Sequence, residues 1–332
     1  MSFKFCLVGC GAMANSRHGP SGKRYESLNE GAEFAACCDV VAEKAVSFKE
    51  QFGIPRYYTD IDAMLDAEKP DAVCLVAPVE KTVELSCNIL NKGYPLIMEK
   101  PPGQTAAETK KMIDAAAKNN VPNQVAFNRR YMPLVRRFKK IFEGFGKEER
   151  ITDIQYRMLR VGRNDPDFST TAIHGVDLVR FIAGADYKEI AFRYQPRKDW
   201  GENVADIHMD CEMASGAFAH LDFLPVSGMT VERLEINTTK GLFYLKLPML
   251  NNVDYEGVLV HYVKNREALV VGGFEAAGCK EDYVLGGFYD ENARFFDDIR
   301  NGAFPAGDLV SGLQSVEASY CIKERLTTYN KN

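Results

Sequence analysis

Two stretches of the chain carry residue types and spacings that could do chemistry. The first is Gly9-Cys10-Gly11-Ala12-Met13-Ala14, a G-x-G-x-x-A run. Its first glycine permits a tight turn, its second lets the backbone approach a pyrophosphate, and a small third residue lets a helix pack on a strand. The following helix would present unpaired N–H groups and the positive end of its dipole to phosphates. Asp39, at the end of the next apolar run, can accept hydrogen bonds from ribose hydroxyls and would repel a 2′-phosphate. Val40 and Val41 supply no arginine to hold such a phosphate, so NAD is favoured over NADP. The interval from Ala14 to Asp39 exceeds the usual ~20 residues. It contains Gly19-Pro20-Ser21-Gly22, expected to break or delay the first helix and to leave His18 on the surface at its end. The second stretch is Met98-Glu99-Lys100-Pro101-Pro102. A lysine there, with the next residue fixing the backbone, can hydrogen-bond a substrate hydroxyl and stabilise a developing alkoxide. The alternative is a surface lysine beside Glu99.

These positions need elements to hold them. Residues 3–9, 33–39, 72–77, 95–98 and 124–127 are short apolar runs, and 42–52, 81–91 and 105–119 are helical patterns between them. That rhythm predicts a parallel sheet buried on both faces with right-handed crossovers, a doubly wound α/β domain. In such a sheet the carboxyl ends of the strands form the ligand crevice, where Gly9, Asp39 and Lys100 all fall. After Tyr131 the pattern changes. A helix over 133–142 precedes alternating stretches at 154–161, 207–213, 217–223 and 234–245, and turn signals at Ser215-Gly216 and Lys240-Gly241 predict antiparallel hairpins. Residues 290–328 return to helix, broken at Asn301-Gly302 and Pro305-Ala306-Gly307. The expectation is a Rossmann-type domain over 1–127 and an α+β domain with an open, largely antiparallel sheet over 128–332.

Composition bounds the partners. A chain of 332 residues with 46% hydrophobic residues can bury two cores. A net charge of −5 without a basic run argues against nucleic acid, and no apolar run reaches the ~18 residues of a membrane span. The nine cysteines stand in apolar contexts, lack a Cys-x-x-Cys pair and do not space with the five histidines as metal ligands, so buried reduced thiols in a cytoplasmic protein are expected and no metal. Ala12-Met13-Ala14 superficially matches a secretory cleavage site but reads better as a strand running into the glycine turn. Arg129 and Arg130 could reach an anionic group or form ion pairs. His208 and His220 read as sheet residues, and Trp200 as a loop aromatic at a sugar site or an oligomer contact.

The order of GCGAMA, CDV, Ala77-Pro78, MEKPP, Phe127-Asn128-Arg129-Arg130-Tyr131-Met132-Pro133, Ile173-His174-Gly175-Val176-Asp177 and Thr238 to Leu242 resembles the glucose-fructose oxidoreductase, inositol dehydrogenase and MocA family over nearly the whole chain. The resemblance implies an NAD(P)-dependent oxidoreductase of sugars, cyclitols and related polyols, oligomerising through the second domain's sheet as a homodimer or homotetramer. It implies a cofactor site at Gly9, Gly11, Ala12, Met13, Asp39, Ala77, Pro78 and Glu99. Lys100 matches a substrate-contacting lysine of the proton relay, and His174 the general acid/base, as an imidazole titrating near neutrality can be. Arg130, Thr170, His174 and Asp177 join Lys100 at the substrate, with Asp177, three residues on, able to fix the His174 tautomer. The sequence departs from the family at Thr170, which replaces an acidic residue, at Ala172 and at Thr82; Asp165 or Asp167 could supply the missing carboxylate. An NAD-dependent glycosidase using transient oxidation and a non-catalytic sugar-sensing regulator are the alternative functions.

Overall fold

The computed structural model describes residues 2–146, 148–165, 167–249 and 251–331. They group into two compact units, Met1–Asn128 with Gly287–Val316 and Arg129–Gly286 with Glu317–Asn332.

The first unit is built from β1 (Phe3–Val8), a π-helical turn (Ala14–His18), α1 (Gly19–Leu28), β2 (Ala32–Cys38), α2 (Ala42–Phe52), β3 (Arg56–Tyr58) and α3 (Ile61–Glu68). It continues through β4 (Ala72–Leu75), α4 (Val79–Asn91), β5 (Leu96–Glu99), α5 (Ala106–Asn119) and β6 (Asn123–Ala126). The strands pair in parallel in the order β3-β2-β1-β4-β5-β6, so the chain reverses direction across the sheet between β1 and β4. That reversal is where a doubly wound sheet opens a crevice at its carboxyl edge. The central strands are short apolar runs because both faces are covered; β4 and β5 are buried at every residue. Asp60 and Thr105 cap α3 and α5 by accepting from the N–H groups of Ala63 and Glu108.

One expectation is overturned here. The first helix is neither broken nor delayed at Gly19-Pro20, because residues 14–18 widen into the π turn and Gly19 N–H donates to the Ala14 carbonyl. Pro20, which lacks an N–H, is the second residue of α1 and follows directly on that π turn. His18 is carried inward and is buried rather than lying on the surface. The sheet core is aromatic. The Phe5 ring centroid lies 4.7 Å from that of Phe34 and 4.5 Å from that of Phe296, the latter on α10 (Phe288–Arg300).

The second unit opens after a 3₁₀ turn (Asn128–Tyr131) with α6 (Pro133–Gly144), β7 (Ile151–Leu159), α7 (Ser169–Ala183), β8 (Tyr187–Pro196), β9 (Ala205–Met213) and β10 (Phe218–Leu224). It goes on through β11 (Val231–Thr238), β12 (Leu242–Lys246), β13 (Val258–Val263), β14 (Arg266–Gly272), α8 (Gly273–Ala277) and α9 (Asp282–Leu285). After α10, α11 (Leu309–Lys323) runs from one unit's residues into the other's, and β15 (Thr328–Asn330) ends the described chain, where helix was expected to reach 328. The nine strands lie in the order β14-β13-β12-β11-β7-β10-β9-β8-β15 and pair antiparallel except β7 with β10. The buried side chains of α6 and α7 share one core with the sheet. The other face alternates polar residues that pair across strands, His208 with Asp222 at 2.6 Å and His220 with Asp210 at 2.7 Å. Among the described residues no helix is long and apolar enough to cross a membrane, and no disulfide is formed.

Candidate active site

The glycine turn leaves β1 at its carboxyl end. Gly9 sits at φ +94°, and a Cβ there would lie 2.0 Å from the Val76 carbonyl oxygen, so β4 passes too close for any side chain. A Cβ on Gly11, by contrast, would meet no atom within 4 Å. Two side chains brace the turn. Asn15 donates to the carbonyls of Cys10 and Gly11 at 3.0 and 2.9 Å, and Asp39 accepts from the Cys10 N–H at 2.8 Å and the Val41 N–H at 2.9 Å. The carbonyls are thus drawn back toward the helix. Ala12 and Met13 are exposed in the helix's first turn, whose N–H groups have no intrahelical acceptor. This cradle fits a dinucleotide. It has open space over Gly11, a helix start for the phosphates and a half-buried carboxylate at the end of the neighbouring strand. Ala77 and Pro78 follow β4 at the same sheet edge, with Pro78 at the N-cap of α4 and Thr82 donating to its carbonyl at 3.2 Å.

Two strands from β1, Glu99 ends β5 and Lys100 follows it, half-buried, with a cis bond to Pro101. Glu99 is buried. Its Oε1 lies 2.9 Å from His18 Nε2, and its Oε2 accepts the Lys100 backbone N–H at 3.1 Å. Burial opposes charge on both partners, yet their contact outweighs it. The Cys74 sulfur and the Glu99 carboxylate hold His18 well above the ordinary histidine range, and His18 with Lys100 holds Glu99 below the ordinary carboxylate range.

The remaining expected residues belong to the second unit. Asp167 accepts from the Ser169 N–H at 2.9 Å at the start of α7, and Thr170 Oγ1 turns back to the Asp167 carbonyl at 3.4 Å. Asp165 pairs with Arg163 at 2.6 Å. His174, one turn further along, is half-buried. Its height on the sheet is set by Gly175, where a Cβ would stand 2.3 Å from the Tyr156 ring and 2.8 Å from Phe223. Asp177 is buried and accepts from Arg130 Nε at 2.7 Å and Nη2 at 2.5 Å, a bidentate pair that orients both groups. Arg129 forms a similar fork on Glu232 at 3.1 and 2.7 Å, joined there by Arg160 and by the Tyr156 hydroxyl at 3.0 Å. Burial would raise Glu232, but the two guanidiniums hold it far below the ordinary carboxylate range.

Sequence reasoning missed Asn15, the His18–Glu99 contact and the Arg129–Glu232–Arg160 group. Asn15 follows the fingerprint directly and could have been read as a loop brace; the other two join residues far apart in sequence. Among the described residues no three His, Cys, Asp or Glu side chains are placed to hold a metal ion.

Residues 3–127 match a family model described as an oxidoreductase family with an NAD-binding Rossmann fold. Inositol 2-dehydrogenase of Salmonella paratyphi B is 27% identical over 208 residues, 60% of this chain and 59% of that protein. D-apiose dehydrogenase of Paraburkholderia graminis is 34% identical over 137 residues, 40% of this chain and 34% of that one. The matches thus span less than two thirds of these relatives' own length. A levoglucosan dehydrogenase solved with NADH and L-sorbose superimposes with a TM-score of 0.82 at 18% identity, covering 99% of each chain, a likeness of fold.

Proposed function

We propose that the chain, whose residues 3–127 match the model of the Gfo/Idh/MocA oxidoreductase family with its NAD-binding Rossmann fold, is an NAD-dependent dehydrogenase of a sugar, cyclitol or related polyol. The observation that carries this reading lies within one sheet. The braced turn at Gly9 and Gly11, the Asp39 carboxylate and Lys100 stand at the carboxyl ends of β1, β2 and β5. The relatives' names, inositol 2-dehydrogenase and D-apiose dehydrogenase, support a polyhydroxylated substrate.

Bound NAD would supply the hydride acceptor. In this reading Ala12 and Met13 offer N–H groups to the phosphates, while Ala77, Pro78 and Glu99 line the same sheet edge. Lys100 donates to the reacting hydroxyl and steadies its oxygen as charge develops. His174 takes the hydroxyl proton, which its imidazole can do near neutrality. Arg130, fixed by Asp177, and Thr170 hold neighbouring hydroxyls by hydrogen bonds.

Fluorescence titration with NADH and NADPH, followed by NAD reduction assays over a panel of sugars and cyclitols, tests the reading. The expected result is saturable binding, tighter for NADH, and turnover with at least one polyol. Lys100→Ala and His174→Ala should each lower that turnover by ~100-fold or more with NADH affinity retained. Near-parent turnover in either variant removes that residue from the proton relay, and failure to bind either nucleotide overturns the reading as a whole.

A further inference from the structure

The helical run of residues 12–28 that leaves the glycine turn carries Asn15 near its start, half-buried. Helices disfavour asparagine relative to alanine, so helix formation alone does not account for it. Its amide nitrogen reaches back to two carbonyls at once. It donates to the Gly11 oxygen at 2.9 Å and to the Cys10 oxygen at 3.0 Å, four and five residues earlier. A five-residue reach is that of a π turn, and the backbone repeats it where Gly19 N–H meets the Ala14 carbonyl. The Gly11 oxygen also accepts the Asn15 backbone N–H at 3.0 Å. The groups before these are fixed as well. Cys10 N–H donates to Asp39 at 2.8 Å, and Cys10 Sγ turns inward to the Cys38 carbonyl at 3.7 Å. Gly9 N–H donates to that same carbonyl at 2.7 Å.

We propose that Asn15 is a positioning residue for the dinucleotide, holding the peptide groups 10–11 and 11–12 so that their N–H groups face the pyrophosphate. The inference rests on the reading of this turn as a dinucleotide site. In a trans peptide the carbonyl and the N–H point in opposite directions. Tying the Cys10 and Gly11 oxygens to the Asn15 amide therefore aims the Gly11 and Ala12 N–H groups away from it. The turn is open at Gly11, where a Cβ would meet no atom within 4 Å. N–H groups so aimed suit phosphate oxygens, whose charge strengthens each hydrogen bond. Glycine backbone is free to take many conformations, and an unbraced turn would spend binding energy on ordering it. Asn15 supplies that order before the nucleotide arrives. Asp39 fixes the preceding peptide, 9–10, and Val41 beyond β2, so the two braces divide their tasks. Asp39 serves the ribose, and Asn15 serves the phosphates.

Fluorescence titration with NADH, and its displacement by ADP and by adenosine, tests this on the full-length protein. ADP carries the pyrophosphate, and adenosine carries the same ribose without it. Asn15→Ala should weaken NADH and ADP by roughly fivefold or more and leave adenosine within about twofold of the parent. Asn15→Ser should fall between the two. A helical serine hydroxyl bonds to the carbonyl four residues back, which restores the Gly11 tether and not the Cys10 one. A merely structural brace would weaken ADP and adenosine alike. That equal loss overturns the proposal, and so does parent affinity for ADP in Asn15→Ala. Thermal unfolding checks that the variants fold. If Asn15→Ala does not, Asn15→Ser decides alone: weakened ADP beside unchanged adenosine supports the role, and any other pattern refutes it. The parent keeps the two readings apart. A parent that binds neither NADH nor ADP removes the dinucleotide reading and the Asn15 role with it, whereas a parent that binds both and variants that match it remove the Asn15 role only.

Discussion

At the scale of single residues, Asp39 has two tasks that separate by experiment. Its carboxylate accepts from the Cys10 and Val41 N–H groups, so it braces the glycine turn whatever occupies the crevice. Its position at the end of β2 also suits it to ribose hydroxyls. Replacing Asp39 by Gly together with Val40 by Arg removes the charge that repels a 2′-phosphate and adds one that attracts it. The ratio of NADPH to NADH affinity should rise by ~10-fold or more, since a charged hydrogen bond is worth about 1.5–3 kcal/mol. Fluorescence titration measures that ratio, and an unchanged value places the ribose elsewhere. Asp39→Asn, which retains one carbonyl oxygen as acceptor, should weaken NADH less than the double variant does. These residues were legible from sequence because strand, turn and next strand follow one another along the chain. His18 and Glu99, 81 residues apart, meet only because a π turn rotates His18 inward. The Gly-Pro pair after it carries the opposite message locally.

At the scale of elements, α7 shows packing overriding propensity. A helix glycine replaced by alanine ordinarily gains about 1 kcal/mol. At Gly175 the new methyl group would meet the Tyr156 ring at 2.3 Å, and that ring cannot swing aside freely because its hydroxyl is bound to Glu232. Gly175→Ala should therefore destabilise by about 1–3 kcal/mol, the usual range for overpacking. It should also lower turnover, because the adjacent His174 moves with the helix. A higher melting temperature in thermal unfolding would show that α7 has room to spare. The parallel strands were readable as short apolar runs between helices, and the β9–β10 and β11–β12 hairpins as alternation around Ser215-Gly216 and Lys240-Gly241. The β13–β14 hairpin was not, because its turn is Lys264-Asn265, both at positive φ, rather than the Asn-Gly or Asp-Gly that usually marks such a turn. Strand β3 escaped for a different reason: it is three residues long and largely exposed at the sheet edge, with no apolar run to announce it.

At the scale of the whole molecule, the first unit is assembled from two stretches separated by residues 129–286. A sequence read in order finds the parallel sheet complete by residue 127, and the later helix 288–300 carries an amphipathic pattern that does not say which sheet it covers. The structure supplies the answer in side chains. Phe295 and Phe296 of α10 are buried in the cluster of Phe3, Phe5, Tyr25 and Phe34, and the Tyr25 hydroxyl donates to Asp297 at 2.8 Å. Each phenylalanine withdrawn from water is worth roughly 1.5–3 kcal/mol, and removing α10 also uncovers the aromatic rings beneath it. Against a net stability of about 5–15 kcal/mol for a domain, that loss is decisive. A chain ending at Asn128 should therefore lack a cooperative thermal transition and bind no NADH, although it contains the whole sheet and the glycine turn. Circular dichroism melting and fluorescence titration of that fragment check the expectation. Cooperative unfolding with NADH binding would show α10 to be dispensable. If the fragment fails and one carrying residues 287–316 on a short linker succeeds, the dinucleotide domain is a discontinuous folding unit. During synthesis it can then close only after residues 129–286 have been made.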